Sequence, residues 1–91
     1  DNATFVTGDF NMKPDSKGYG AMTECFVDVN AVTSKDMRTT FHGYSPADYN
    51  EHIDYCFVNE KISPKYQKII DDMIDGKYPS DHYGLYIELE F

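Results

Sequence analysis

The amino-acid sequence predicts an α/β fold with a mixed or antiparallel sheet and one outer helix. Four or five segments are rich in β-branched and aromatic residues, a composition typical of strands. One further segment places Tyr19, Met22 and Phe26 on a single face at helical spacing. The chain has 91 residues, which is enough for one domain with a thin core. This set of elements favours the α/β class.

The predicted strands share this composition and lie, in chain order, at residues 3–8, 39–42, 52–59, 65–71 and 83–91. The second is short, whereas the third and the last are the most strand-like. Ser63 and Pro64 predict a break in the chain before the fourth strand. In that strand, Tyr66 and either Ile69 or Ile70 are expected to point inward.

The predicted helix follows a turn, and either Asp15 or Ser16 is expected to cap its N-terminus. After it, residues 27–38 combine turn-prone side chains with irregular polar alternation. We therefore expect a connection without regular structure there.

The net charge is −8, from 16 acidic and 8 basic residues. Such a charge disfavours long-range attraction to a polyanion such as duplex DNA, although it does not exclude nucleic acid as a substrate. No apolar stretch approaches the ~18 residues that a membrane helix needs. A targeting signal, if the protein has one, would precede Asp1, so localisation cannot be inferred.

Cysteine and histidine residues outside the polar clusters are interpreted as structural. Cys25 and Cys56 lack metal-ligand spacing and are expected to be small core residues. His42 and His52 are expected at the surface or as supports behind a site.

Three polar clusters lie beside predicted strands. Asp9 and Asn11 follow the first strand, Asp54 lies within the third, and Asp81 and His82 directly precede the last. Strand ends hold side chains more rigidly than loops do. We therefore expect the three clusters to meet in one reaction centre.

The residue types in these clusters suit phosphate chemistry. Asp9, Asn11 and Asp81 offer the hard oxygen ligands that Mg²⁺ prefers. His82 can act as a base or donate a hydrogen bond to a phosphoryl oxygen. Asp54 would accept the other ring N–H and fix the tautomer.

Each cluster also has a structural interpretation. Asp9 and Asn11 could form an Asx turn, which the local sequence favours equally. Asp54 could face solvent on an edge strand, although a buried unpaired carboxylate would be costly. Asp81 and His82 could be ordinary loop residues.

Taken in order, the motifs resemble the C-terminal portion of the endonuclease/exonuclease/phosphatase (DNase I-like) family. They are Gly8-Asp9-Phe10-Asn11, Thr40-Phe41, Ile53-Asp54-Tyr55 with Phe57-Val58, and Ser80-Asp81-His82. The set spans nearly the whole chain, and its amino-acid sequence is most similar to those of bacterial hydrolases of that family.

The resemblance implies a four-layer α/β sandwich and hydrolysis of phosphodiesters or phosphomonoesters with Mg²⁺, or Mn²⁺ in its place. By motif match, Asp9 and Asn11 would position the attacking water and a phosphate oxygen. Asp81 would either bind the metal or orient the attacking water. Asp9 would be the other candidate ligand of the metal. His82 would contact the scissile phosphate or act as base, and Asp54 would orient His82.

The family's N-terminal half, which carries a metal-binding glutamate, has no counterpart in residues 1–91. We therefore expect these residues to be the C-terminal fragment of a single domain, with the missing half as a partner. Alone, the fragment is expected to bind metal weakly and to turn over no phosphate ester. The alternative is a non-catalytic binding module that associates through its exposed sheet.

Overall fold

A computed structural model of the protein describes residues 2–91. Its strands and helices are, in chain order, β1 (Phe5–Asp9), α1 (Lys17–Cys25), β2 (Val27–Asp28), α2 (Val29–Val32), β3 (Asp54–Val58), β4 (Ser63–Ile70) and β5 (Gly84–Glu90), with a 3₁₀ turn at Pro46–Asp48. The strands form two antiparallel sheets, β1-β3-β2 and β4-β5. The predicted α/β class is confirmed, and of the two sheet types considered the antiparallel one is observed.

Strand β3 is the centre of the first sheet, and all five of its residues are buried. Because successive side chains of a strand point to opposite faces, Cys56 and Val58 lie on one face and Tyr55 and Phe57 on the other. The second face packs against aromatic rings. Phe10 meets Phe57 edge to face at 5.2 Å between ring centroids.

Helix α1 covers this aromatic face. The Ser16 hydroxyl accepts the Tyr19 N–H at 3.1 Å, so Ser16 rather than Asp15 is the N-cap. The Tyr19 ring lies 5.4 Å from that of Tyr55, and its hydroxyl donates to Asp28 at 2.7 Å. Burial and this hydrogen bond both raise the pKa of Tyr19. The predicted outer helix is therefore present, and Tyr19 in its first turn connects it to the sheet.

The opposite face of β3 packs towards the second sheet. Cys56 and Val58 form a buried cluster with Val29 and Ile62, and Ile87 and Leu89 of β5 pack against it. Since β5 begins just after His82, this packing determines where the imidazole enters the fold. No helix among the described residues has the length and apolarity needed to cross a membrane.

Three predictions of local structure are wrong. Residues 27–38 were expected to be irregular, but they contain β2 and α2, where the Asp28 carboxylate accepts the Asn30 N–H at 3.0 Å as an N-cap. Residues 39–42 form only isolated bridges, from Phe41 to Glu51 and to His82. Pro64 does not break the chain but lies within β4, which tolerates proline because the strand is at a sheet edge.

Two assignments of burial, those of Cys25 and Tyr66, need correction. Cys25 is exposed, although Cys56 is buried as expected. His42 and His52 are buried, which excludes the surface and leaves the other expected position, behind a site. The ring of His42 packs against Tyr78 and Tyr83, and that of His52 packs against Tyr55. Nδ1 of each ring is within hydrogen-bond distance of a backbone group, whereas Nε2 of each has no hydrogen-bond partner among the described residues. In β4, Ile69 points inward as expected, whereas Tyr66 is 42% exposed.

Candidate active site

The imidazole of His82 lies between two carboxylates. Its Nδ1 is 2.9 Å from Oδ2 of Asp54, and its Nε2 is 3.6 Å from Oδ2 of Asp9. Because an ionised carboxylate only accepts hydrogen bonds, Nδ1 carries the proton and donates it to Asp54. Nε2 is thereby directed towards Asp9. The predicted meeting of these three residues, distant in sequence, is observed in the structure.

The two carboxylates come together because of strand register. Asp9 is the residue directly opposite Asp54 in the antiparallel pair of β1 and β3, so both side chains leave the same face of the sheet. That face packs towards β5, and His82 comes from the segment just before β5. Asp54 lies on the central strand, so its carboxylate is mostly buried, with 13% of the side chain exposed. The hydrogen bond to His82 offsets the cost of burying this charge.

Asn11 enters the same cleft through a tight turn. Its backbone N–H donates to Oδ1 of Asp9 at 2.8 Å, and its φ is +52°. The Asx turn considered from sequence is therefore present. It is compatible with a site, because it uses one carboxylate oxygen of Asp9 and leaves the other near His82.

Opposing effects determine the protonation of His82. Burial lowers the pKa of the imidazole, but the hydrogen bond to Asp54 and the charges of Asp54, Asp9 and Asp81 raise it by more. The net result is a pKa above the usual value for histidine. His82 is thus suited to hold a proton at Nδ1 while presenting Nε2 to the cleft.

Asp81 contributes to the site differently from the other predicted residues. Its side chain is exposed, and its backbone carbonyl accepts the N–H groups of His42 and Gly43 at 2.9 and 3.1 Å. These bonds fix the chain just before His82. The role predicted for the Asp81 carboxylate, binding a metal ion, remains a prediction.

The donor atoms that lie closest together belong to Asp9, Asp54 and His82. One ligand atom of each falls within 4.8 Å of the others. The Asp54 oxygen is already bonded to the imidazole, so Asp9 is the carboxylate of this group with an oxygen directed at the cleft. Mg²⁺ typically uses one or two protein carboxylates and keeps several waters. Asp9 and the nearby Asn11 and Asp81 therefore fit such an ion in donor type.

A cleft of about 330 Å³ opens beside His82. Besides Asp9 and Asn11, it is lined by residues to which the sequence analysis gave no role: Lys13, Phe41, Tyr49, Glu51 and Ile53. The Phe41 ring packs edge to face against Tyr49 at 4.8 Å and lies 5.1 Å from the His82 ring. Lys13 and Glu51 form an ion pair at 3.3 Å. Phe41 and Ile53 belong to the motifs that carry the family resemblance, whereas no local pattern identifies Lys13, Tyr49 and Glu51, which segments distant in sequence bring to the cleft.

Comparison with solved structures gives three similar proteins. An endonuclease/exonuclease/phosphatase from Bacteroides vulgatus has a TM-score of 0.82 and 28% identity, over 97% of this chain and 36% of that one. A conserved protein of unknown function from Enterococcus faecalis V583 has a TM-score of 0.79 and 26% identity, over 97% and 36%. A mannosyl-6-phosphatase from Bacteroides thetaiotaomicron VPI-5482 has a TM-score of 0.84 and 24% identity, over 98% and 38%. No protein-family model and no curated protein matches the chain.

The chain thus shares the fold of an endonuclease/exonuclease/phosphatase protein, and the resemblance predicted from the sequence is confirmed at the level of the fold. More particularly, the chain has the fold of the C-terminal portion of such a protein. It spans 36–38% of the length of the three solved chains that it matches.

Proposed function

We propose that residues 1–91 are the C-terminal portion of a metal-dependent phosphoesterase domain. The observation that carries the proposal is the imidazole of His82, held by Asp54 on one side and facing Asp9 and an open cleft on the other. The pairing of a carboxylate with a histidine orients the ring and increases its basicity. Similarity to an endonuclease/exonuclease/phosphatase at 28% identity supports the same class of chemistry.

Each residue of the site has a separate task in this proposal. Asp54 holds the proton at Nδ1, so Nε2 of His82 is the atom that meets a phosphoryl oxygen or takes a proton from the attacking water. Asp9 and Asn11 lie across the cleft from the ring and orient that water and a phosphate oxygen. Asp81 is the further carboxylate that would act close to the phosphate.

The charge of the site is the reason to propose a divalent cation. Three carboxylates, those of Asp9, Asp54 and Asp81, act on His82, and they would repel a phosphate ester. Mg²⁺, or Mn²⁺, bound by Asp9 and Asp81 would neutralise them and stabilise charge that develops on the phosphoryl oxygens. The rest of the domain would contribute further ligands.

The shape of the chain supports the view that it packs against a missing half. Its radius of gyration is 13.6 Å, against about 12 Å for a compact domain of this length. Among the described residues, twelve large hydrophobic side chains are exposed and eight hydrophobic residues are buried. A domain partner that covers this surface would complete the core. We therefore expect the isolated chain to bind metal weakly and to lack turnover.

The substrate is proposed at the level of a phosphate ester. The cleft beside His82 has an aromatic wall, formed by Phe41 and Tyr49, and an ion pair, which suits a small polar ring as well as a nucleotide. One similar structure is a mannosyl-6-phosphatase, which favours testing a sugar phosphomonoester. The net charge of −8 makes duplex DNA a less favoured substrate.

The test compares the intact protein, which contains the whole domain, with its His82→Ala variant. Both are assayed with a bis-phosphodiester and with a sugar phosphomonoester in Mg²⁺, and after removal of the metal with EDTA. We expect hydrolysis of at least one ester by the wild-type protein, loss of roughly 10²–10⁴-fold in the variant, and loss on chelation that added Mg²⁺ reverses. Equal hydrolysis by both proteins would remove His82 from the mechanism.

A non-catalytic binding module is the second candidate, favoured by an exposed apolar groove. The groove lies between the sheets and is lined by Phe5, Thr7, Cys56, Ile87, Leu89 and Phe91. Such a surface invites association with another chain. Light scattering separates the two candidates: a clean monomer of the isolated chain with low dye binding would count against the binding module.

A further inference from the structure

We infer that Thr40 is a positioning residue, which holds the Asp54–His82 pair together through its hydroxyl and its backbone. Thr40 is completely buried, and its side chain lies outside the cleft that Asp9, Asn11 and His82 line. It therefore acts on the reaction centre through the chain segments to which it is bonded.

The hydroxyl of Thr40 binds the start of β3. Its Oγ1 accepts the N–H of Ile53 at 3.0 Å and the N–H of Asp54 at 3.2 Å, and it donates to the carbonyl of Glu51 at 3.3 Å. One side-chain oxygen thus satisfies two successive buried amides. The second of these amides belongs to the residue whose carboxylate holds His82.

The backbone of Thr40 binds the other half of the pair. Its carbonyl accepts the N–H of Tyr83 at 2.8 Å, directly after His82. The next residue, Phe41, forms a bridge with His82 itself. Thr40 is therefore hydrogen-bonded to both segments. One of its bonds is to Asp54 itself, and another is to Tyr83, the residue directly after His82. Asp54 and His82 are 28 residues apart in sequence, and this residue fixes the separation of their backbones.

The hydroxyl is required for chemical reasons. A valine of the same shape would leave the amides of Ile53 and Asp54 without an acceptor, and a buried donor without a partner loses its hydrogen bonds to water and gains none in the protein. The chain can relieve that cost by moving the start of β3 away from Thr40. Such a movement lengthens the bond between Asp54 and His82, and displacements near 1 Å at a reaction centre are costly to catalysis.

A matched control lies next in sequence. Oγ1 of Thr39 accepts the N–H of Glu51 at 2.8 Å and lies 2.6 Å from the carbonyl of Phe41 and 3.1 Å from that of Glu51. Thr39 thus accepts one hydrogen bond and donates its single proton to one of two carbonyls, and none of these bonds reaches Asp54. Thr39→Val removes a comparable set of bonds and leaves the amide of Asp54 bound.

The first measurement does not depend on activity. In the intact protein, ¹H–¹⁵N NMR of the His82 ring reports the proton shared between Nδ1 and Asp54. We expect this signal to weaken or move in Thr40→Val and to stay in place in Thr40→Ser and Thr39→Val. If Thr40→Val does not fold, Thr40→Ala, which also removes the side-chain acceptor of the two amides, is measured with the same expected result. An unchanged ring signal in the folded variant would overturn the inference.

The second measurement rests on the proposed function. In the intact protein, we expect Thr40→Val to lower kcat by roughly 10- to 100-fold, with KM changed by less than about twofold. Thr40→Ser is expected to restore most of kcat. Loss of kcat by the same factor in Thr39→Val would show a general structural role and overturn the assignment. If the wild-type protein hydrolyses no phosphate ester, the proposed function fails while the NMR result still decides the role of Thr40.

Discussion

Replacement of Asp54 by asparagine removes a negative charge beside His82 and keeps nearly the same side-chain volume. In the native protein, Oδ2 of Asp54 accepts the Nδ1 proton at 2.9 Å, in a position where 13% of the side chain is exposed. Hydrogen bonds to charged groups contribute about 1.5–3 kcal/mol and neutral ones about 0.5–1.5 kcal/mol. The substitution therefore removes about 1–1.5 kcal/mol of orienting free energy.

This free energy sets the smallest decrease in kcat that we expect for Asp54→Asn. At about 1.4 kcal/mol per factor of ten, it corresponds to a roughly five- to twelvefold lower kcat. The loss is larger if the asparagine presents its NH₂ group to Nδ1, because the ring must then adopt the wrong tautomer. The variant also removes the main effect that raises the pKa of His82, so that pKa should fall towards its usual value.

The assay combines steady-state kinetics of the intact protein with an NMR titration of His82 in the isolated chain. Asp72→Asn, which removes one exposed negative charge outside the cleft, is the matched control and should leave both results unchanged. A kcat for Asp54→Asn within about twofold of the wild-type value, with an unmoved His82 titration, would refute the reasoning.

Three further outcomes are expected from the same structure. The pKa of His82 is raised on folding. The contribution of His82 to stability is therefore present below its unfolded pKa of about 6.5 and is lost as pH rises through the folded pKa. Denaturant midpoints measured against pH should show this decrease in the wild-type protein and not in His82→Gln. Phe57→Ala should destabilise the chain by about 3–5 kcal/mol, because Phe57 is fully buried. Phe5→Ala should destabilise it much less, because Phe5 is 52% exposed. Equal shifts of the urea midpoint in the two variants would contradict this assignment of the core. A thiol reagent should modify the exposed Cys25 in the native protein. Cys56 is buried and its thiol pKa is raised by burial, so it should react only on unfolding. Equal rates of modification at both thiols would contradict this difference in burial.

The sequence predicted the parts of the fold that depend on local composition. Strand β3 and the capped helix α1 have strong local signals, and both are present. The short elements β2 and α2 were missed, because two and four residues are too few to show a period. The start of β4 was missed because proline signals a break unless the strand is known to lie at an edge.

The candidate site was predictable for a different reason. Asp9, Asp54 and His82 each stand out locally as a polar residue beside an apolar run, and their order resembles a known family. The supporting roles have no such signal. Thr40 belongs to a motif and His42 does not, but the burial of both results from contacts with segments that lie up to about 40 residues away in the chain. Local patterns cannot show which distant segment encloses a residue.

The direct pairing of Asp9 with Asp54 makes the candidate site sensitive to the number of residues in β1. A shift of one residue between β1 and β3 moves every side chain of β1 to the opposite face. Asp9 would then face the aromatic side of the sheet, with the backbone hydrogen bonds re-formed and His82 left opposite an empty position. Active homologues should therefore lack insertions and deletions within β1, even where they tolerate substitutions there. A variant with one residue added to β1 should fold and yet be inactive, which separates the requirements of folding from those of activity.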